Sequence, residues 1–447
     1  MIQASPQTRS TRLENGVRVI TENIPHIGSA GVSVLVDAGP QDEGPDQSGL
    51  AHLCEHALFL GTPLRGSAEL AELIDTAGGQ LGAFTAPDYT CFYAHVLEDY
   101  VSYALDLMGD ILVASSFPEA ALEREKDVVC QEIRQYNDDP SHLALQSIKS
   151  LLWGTDPLAC SVTGTESEVS QLTRSDVIGF ISKNYTPDRI IVAAAGAVEH
   201  DSVVEQAQDA FWTLRGHSPA RTKAPVELLG GVEIVPLKTN QCTFNIALPL
   251  PEYSSPLRNE LHVVNCAIGG GMSSRFYRAL REKSGLAYSI SSEILAYQRG
   301  GALLIEGATS PENLIASLQV ILFELTSLAV GQNPIGEEEL WKSKMQVRGQ
   351  SRLAADVIPN RVARLATQNF HFGESIAADR ILADIDAVTI ENTNDIASSV
   401  LLPGLKHLSI AVVGPIDPKG SAYDDLQGLH ECYASLVDGK TNNTETT

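Results

Sequence analysis

Two stretches, RIIVAAAGAVEHD over Arg189–Asp201 and HLSIAVVGPIDPK over His407–Lys419, decide how this chain is organised. Each is a run of small and β-branched apolar residues that stops at a glycine and is soon followed by an acidic residue. A run without polar interruption is the pattern of a strand covered on both faces. The two glycines, Gly196 and Gly414, lie 218 positions apart (414 − 196) in a chain of 447 residues, which is close to half its length. Recurrence at that interval predicts a duplicated domain.

The sequence divides into a first domain over residues 1–216, a linker over 217–227, a second domain over 228–437 and a tail over 438–447. The linker HSPARTKAPVE has two prolines and no apolar period, and the tail DGKTNNTETT is polar with the composition of a disordered segment. In the first half GVRVITENI and SAGVSVLVDAG read as strands. Helices follow around residues 49–60 and at SAELAELIDTAG, then a strand pair GQLGAFTA and TCFYAHVL, then a helical tract from about Leu97 to Leu152. The second half repeats the order: strands at GVEIVPL and QCTFNIALPL, helices, a strand pair AYSISSEILAY and GGALLIEGA, and helices to about residue 400. The fold class this predicts is α+β: two duplicated domains, each a mixed or antiparallel sheet packed with helices.

Composition narrows the function. A formal charge of −25 excludes a nucleic-acid binder, which needs a basic surface to displace counterions. That surplus of acid is first read as serving solubility, with an acidic chamber that draws in basic peptides as the sharper alternative. The seven cysteines are scattered, with no CxxC pair, and read as reduced and mostly buried. No run approaches the roughly 18 apolar residues of a membrane span, and the polar N-terminal stretch lacks the apolar core of a secretory signal. The expectation is a cytoplasmic protein with no membrane partner.

Chemistry concentrates in GLAHLCEHALFLGT, residues 49–62. Ser48 suits an N-cap and Gly61 a stop, so residues 49–60 fit a helix with Leu50, Leu53, Ala57 and Leu60 as its buried stripe. His52, Glu55 and His56 stand at i, i+3 and i+4 and share a face. Two imidazoles one turn apart can both reach one zinc at about 2.1 Å, and Glu55 then stands beside the metal rather than on it. A lone core histidine is usually structural, but chance would produce this HxxEH pattern only about 0.02 times in a chain of this length and composition. An inverted HxxEH needs a third ligand. The helix PEAALEREKDVVCQEIRQYNDD starts at Pro118 and carries an apolar stripe of Leu122, Val129, Ile133 and Tyr136. It offers Glu125 and Glu132, seven apart on one face, of which one can ligate while the other orients the site. The alternative for both is a solvated charged face paired with Arg124, Lys126 and Arg134.

With these residues in view, the chain resembles the pitrilysin and insulinase family of zinc peptidases. GLAHLCEHALFLGT followed by Glu132 in EREKDVVCQE carries the likeness in the first half, and IGGGMSSRFYRALREKSGLAYSISS over Ile268–Ser292 carries it in the second. Overall length is similar to the mitochondrial-processing-peptidase-like branch. The resemblance implies that His52, His56 and Glu132 bind Zn2+, that Glu55 is the catalytic base, that Glu125 supports the site, and that Arg281 and Tyr288 contact the substrate's scissile region. Gly285 between those two is expected to end a helix, which puts Arg281 on its last turn and Tyr288 at the start of a strand. Family members commonly have Asn-Ala-x-Thr on the strand that binds substrate. Here the strand reads Gly82, Ala83, Phe84, Thr85, so the asparagine side chain is missing, although an extended peptide can still pair through its main chain.

The function so implied is that of a zinc endopeptidase, cleaving peptides or unfolded segments in precursor processing or oligopeptide degradation. Its alternatives are a non-catalytic core or scaffold subunit, or one half of a heterodimeric processing peptidase. The resemblance also implies a homodimer, in which the zinc half of one copy faces the Arg281 and Tyr288 half of another. A heterodimer with a related subunit is the alternative.

Overall fold

The computed structural model describes residues 7–76, 79–218, 221 and 225–437. It resolves into two compact units, one of Met1–Arg134, Ser161–Thr222 and Arg352–Ile376, the other of Gln135–Cys160, Lys223–Ser351 and Ala377–Thr447.

The first unit is built on a six-stranded mixed sheet: β1 (Gln7–Arg12), β2 (Arg18–Asn23), β3 (Ser29–Val36), β4 (Gln80–Thr85), β5 (Thr90–Leu97) and β6 (Ile190–Gly196), in the order β1-β2-β6-β3-β5-β4. β2 and β6 run parallel and the other neighbours antiparallel. β6, the strand read first from the sequence, lies inside the sheet with every residue buried. Val192 and Ala194 face one core with Val32 and Phe92, while Ile191, Ala193 and Ala195 face a second with Leu35 and Val362. That two-sided burial is why its residues are uniformly apolar rather than alternating. β1 was not expected, because its six residues are exposed or half-buried and carry no apolar alternation.

The helices of this region are α1 (Leu50–Leu58), α2 (Ser67–Thr76), α3 (Val101–Ala114), α4 (Glu119–Asn137) and α5 (Pro140–Trp153). The tract expected over Leu97–Leu152 is thus three helices, broken before Pro118 and at Pro140.

The second unit repeats the plan with β7 (Gly231–Pro236), β8 (Cys242–Leu250), β9 (Ala287–Ala296), β10 (Gly301–Thr309) and β11 (Ser409–Gly414), ordered β7-β11-β8-β10-β9. Strand for strand this matches β2-β6-β3-β5-β4. Again the first pair is parallel and the rest antiparallel. The duplicated α+β architecture is present, and Gly196 and Gly414 end equivalent strands.

The units are not contiguous in sequence, unlike the expected domains 1–216 and 228–437. α5 belongs with the second sheet, where Ile148, Leu152 and Trp153 pack on Ala247, Leu304 and Ala411. The helix Ile358–Phe372 belongs with the first, where Val362, Leu365 and Phe370 pack on Ile20, Leu35 and Ile191. Both faces of each sheet are apolar, and the helices local to each half cover only one of them. Of the linker expected over 217–227, Arg221 belongs to the first unit and is bound to Asp37 and Asp42. The tail expected over 438–447 lies outside the described residues. The helical stretch Pro311–Ala329 is by length and overall composition apolar enough to cross a membrane, although Glu312 and Glu324 interrupt it. Its Leu314, Leu318, Ile321, Leu322, Leu325 and Leu328 are buried in the second unit's core, so its apolarity has a packing explanation. All seven cysteines are free thiols.

Candidate metal centre

α1 begins at Leu50, and its capping differs from the sequence reading. The N-cap is Gly49 rather than Ser48, with φ at 87° and no side chain to satisfy the first N–H groups. A Cβ at this position would lie 2.5 Å from the Thr163 carbonyl oxygen, so glycine is required on two counts. The cap comes from Glu43 instead: its carboxyl accepts from Ala51 N at 2.8 Å and Gly49 N at 3.3 Å. Burial outweighs those two bonds and pushes the Glu43 pKa up to about 8. The helix closes at Leu58, short of the expected Leu60.

Leu50, Leu53, Ala57 and Leu58 fill the core on one side of α1. On another side the imidazoles of His52 and His56 meet with ring centroids 4.6 Å apart. Glu132 of α4 joins them: its Oε2 is 3.7 Å from His52 Nε2 and 3.5 Å from His56 Nε2. One ligand atom from each of the three lies within 4.8 Å of the others, and among the described residues this is the group that could hold a metal ion. Tetrahedral zinc with bonds of about 2.1 Å separates its ligand atoms by about 3.4 Å, so the donor set fits zinc.

Protonation differs between the two histidines. Burial, helped by neighbouring His56, drives the His52 pKa down to about 3, which leaves a neutral imidazole able to ligate. His52 Nδ1 is buried and among the described residues has no hydrogen-bond partner, so packing holds this ring. His56 is held differently. Its Nδ1 lies 2.9 Å from Glu125 Oε1, an arrangement that puts the proton on Nδ1 and leaves the Nε2 lone pair facing Glu132 and His52. Burial works to lower the His56 pKa, but the Glu125 hydrogen bond and the carboxylates of Glu132 and Glu55 outweigh it and raise the value.

α4 therefore delivers both glutamates, Glu132 beside the two Nε2 atoms and Glu125 behind His56. Two of the cations named in the charged-face alternative pair elsewhere. Lys126 turns to Glu123 and the Leu172 carbonyl, and Arg134 to Glu166. Leu122, Val129 and Ile133 are buried as expected; Tyr136 is 40% exposed and stacks on His142 instead of joining the core.

Glu55 is buried on α1 and is tied to the sheet: Thr85 Oγ1 donates to its Oε2 at 2.5 Å. Burial raises the Glu55 pKa and the nearby Glu132 adds to this, while the Thr85 bond and His56 oppose it. Thr85 ends β4, the edge strand of its sheet. Along β4 the side chains alternate faces. Leu81 and Ala83 pack against the main core, while Phe84 lies 6.3 Å, centroid to centroid, from Tyr93 on the other face. Gly82 shares the Phe84 face and stands directly opposite Tyr93.

Arg281 and Tyr288 lie in the second unit. Arg281 is in a π-helical turn, Arg278–Lys283, and Tyr288 is in the first residues of β9, with Gly285 between them as expected. The Arg281 guanidinium sits 5.2 Å from the Tyr277 ring and 6.0 Å from the Tyr288 ring, and Tyr288 is 73% exposed. Sequence reasoning missed Tyr277. The signal was its i, i+4 spacing to Arg281 on one helix.

A duplicated α+β chain in which an HxxEH helix and a glutamate from a second helix surround a zinc-type donor set belongs to the inverted-motif metallopeptidase class. The comparisons with known proteins give the family. The description "Insulinase (Peptidase family M16)" matches residues 18–166, and "Peptidase M16 inactive domain" matches residues 171–347. The chain is 34% identical over 426 residues to an uncharacterised zinc protease of Mycobacterium tuberculosis, covering 94% of this chain and 96% of that one. An uncharacterised zinc protease of Bacillus subtilis is 30% identical over 402 residues, or 90% of this chain and 97% of its own. Among solved structures, a peptidase M16 inactive domain from Pseudomonas fluorescens superposes with a TM-score of 0.84 at 19% identity, covering 92% of this chain and 98% of that one. A protease from Helicobacter pylori superposes with a TM-score of 0.83 at 20% identity, covering 91% and 99%. The chain belongs to the insulinase, or M16, family of zinc proteases.

Proposed function

We propose that the protein is a zinc endopeptidase acting on peptides or unfolded segments, with His52, His56 and Glu132 as metal ligands and Glu55 as general base. The observation that carries this reading is the convergence of the three donors within 4.8 Å, with the buried Glu55 carboxyl on the same helix. Zinc held there supplies a Lewis acid that polarises a peptide carbonyl and makes water acidic enough to be deprotonated near neutral pH.

The chain's own groups do the rest. Glu55 takes a proton from the attacking water on Oε1 or Oε2 and later hands it to the departing amine nitrogen, so one carboxyl serves as base and then as acid. Thr85 fixes the carboxyl's orientation from the end of β4. Residues 82–85 pair an extended substrate through the main chain at the sheet edge. Arg281 and Tyr288 donate hydrogen bonds to the oxyanion of the tetrahedral intermediate. We place the protein in the cytoplasm as a homodimer, each copy supplying its Arg281 and Tyr288 to the zinc half of the other, in peptide processing or oligopeptide turnover.

Metal analysis and a peptide library test this. The purified protein is expected to carry about one zinc per chain, to cleave library peptides, and to stop when chelated. Glu55→Gln is expected to keep the zinc and lose cleavage. A protein without zinc or cleavage in these assays supports a scaffold role, whereas cleavage that appears only on adding a related subunit keeps the enzyme and removes the homodimer.

A further inference from the structure

We propose that the hydroxyl of Tyr93 is a substrate-anchoring group at the open edge of the first sheet, standing in for the side chain that Gly82 lacks. This rests on the reading of the protein as a peptidase that pairs its substrate with β4.

β4 is the last strand of its sheet, so the N–H and C=O groups along its outer side are available to an added strand. A peptide bound there has side chains that alternate between the two faces of the sheet, as those of β4 itself do. One face is the Thr85 and Glu55 side. The other is the face of Gly82 and Phe84.

Tyr93 comes to this second face from β5. It is directly opposite Gly82 in the antiparallel register, and a Cβ built on Gly82 would lie 2.7 Å from the Tyr93 hydroxyl and 2.9 Å from its Cζ. The ring therefore lies across the glycine and carries its hydroxyl from the second strand of the sheet out over the outermost one. Covering a glycine with an aromatic ring from the neighbouring strand stabilises an edge, and that alone explains the ring. It does not explain the hydroxyl, since phenylalanine would cover Gly82 equally well.

The hydroxyl has no internal use. Tyr93 is 40% exposed, and among the described residues its oxygen makes no hydrogen bond. A phenol offers one donor and two acceptor lone pairs, here to whatever lies beside β4. The matching ligand is an extended peptide whose residue beside Gly82 presents a carbonyl or a polar side chain on this face. Such a contact is distant from Glu55, on the opposite face of the strand, and is made equally in the bound substrate and at the transition state. It therefore acts on KM and leaves kcat alone.

The test is Tyr93→Phe in the full-length zinc-loaded protein, assayed with a fluorogenic peptide taken from the cleaved library. KM is expected to rise about 3- to 10-fold, the size of one hydrogen bond, with kcat within twofold and an unchanged melting temperature. In the Glu55→Gln background the Kd of the same peptide, read by fluorescence anisotropy, is expected to rise by the same factor. If the ring serves only to cover Gly82, Tyr93→Phe will match the parent in both KM and Kd, and the inference falls alone while cleavage stands. A parent protein that neither cleaves nor binds peptide removes the peptidase reading and this inference with it.

Discussion

Thr85 Oγ1 donates to Glu55 Oε2 across 2.5 Å, so the edge strand and the helix that carries His52 and His56 meet at one carboxyl group. Any movement of β4 is felt by the Glu55 carboxyl. Thr85→Val keeps the shape and β-propensity of the residue but removes the donor. On the proposed mechanism kcat falls about tenfold, the size of a hydrogen bond to a charged group, while bound zinc stays at the parent level. Steady-state kinetics beside a metal determination checks this. A variant with parental kcat would mean that packing alone orients Glu55.

Glu125 and His56 form the second such pair, 2.9 Å apart. Glu125→Gln retains an oxygen in the same place and loses the charge that favours a proton on Nδ1. Zinc affinity is expected to weaken 10- to 100-fold, as for other carboxylates standing behind a ligating histidine. Competition with a chromophoric chelator measures it. Glu132→Gln serves as the comparison and is expected to weaken zinc further, because it removes a direct donor. Equal affinities in Glu125→Gln and the parent would leave Glu125 as a surface charge.

These pairs show what the sequence could reveal. His52, Glu55 and His56 were legible because a single helix fixes their spacing, and Glu125 and Glu132 because two turns of α4 put them on one face. The central strands were legible because burial on both faces removes polar residues, as in β6 and β11. What stayed hidden depends on partners far away in the chain. The choice of sheet for α5 and for Ile358–Phe372 is written in the second apolar face of each sheet, which periodicity does not assign to an owner. Glu43 caps a helix that starts several residues later, where the local pattern pointed to Ser48. The pairing of Gly82 with Tyr93 needed the strand register.

Tyr277 makes a prediction in the second unit. Arg281 has no ion-pair partner among the described residues and is held only against aromatic rings, 5.2 Å from Tyr277 and 6.0 Å from Tyr288. On the reading that Arg281 contacts substrate, Tyr277→Leu frees the guanidinium and lowers kcat/KM roughly two- to fivefold, the worth of an exposed cation–π contact. Tyr277→Phe keeps the ring face and is expected to retain parental kinetics. Arg281→Ala sets the scale. If it cripples the enzyme while Tyr277→Leu does not, the ring plays no part in placing the cation.

Glu43 gives a pH dependence whose sign can be worked out. The carboxyl has a pKa of 4.5 as its ordinary value and about 8 in the folded chain, where burial is the largest influence. Between those values the folded protein keeps the proton and the unfolded chain releases it, so folding takes up a proton and stability falls as pH rises. The contribution is complete below pH 4.5 and gone once pH has passed about 8. Glu43→Gln copies the protonated carboxyl, keeps one acceptor for the N–H groups of Gly49 and Ala51, and does not titrate. The parent should therefore lose melting temperature relative to Glu43→Gln from pH 5 to pH 8, with the variant the more stable at the upper end. The measurement is a thermal melt at constant ionic strength with chelator in every sample, so that zinc binding does not add its own pH dependence. Parallel curves for the two proteins would show that Glu43 is already ionised across the range, held as an anion by the two backbone donors and the positive end of the α1 dipole.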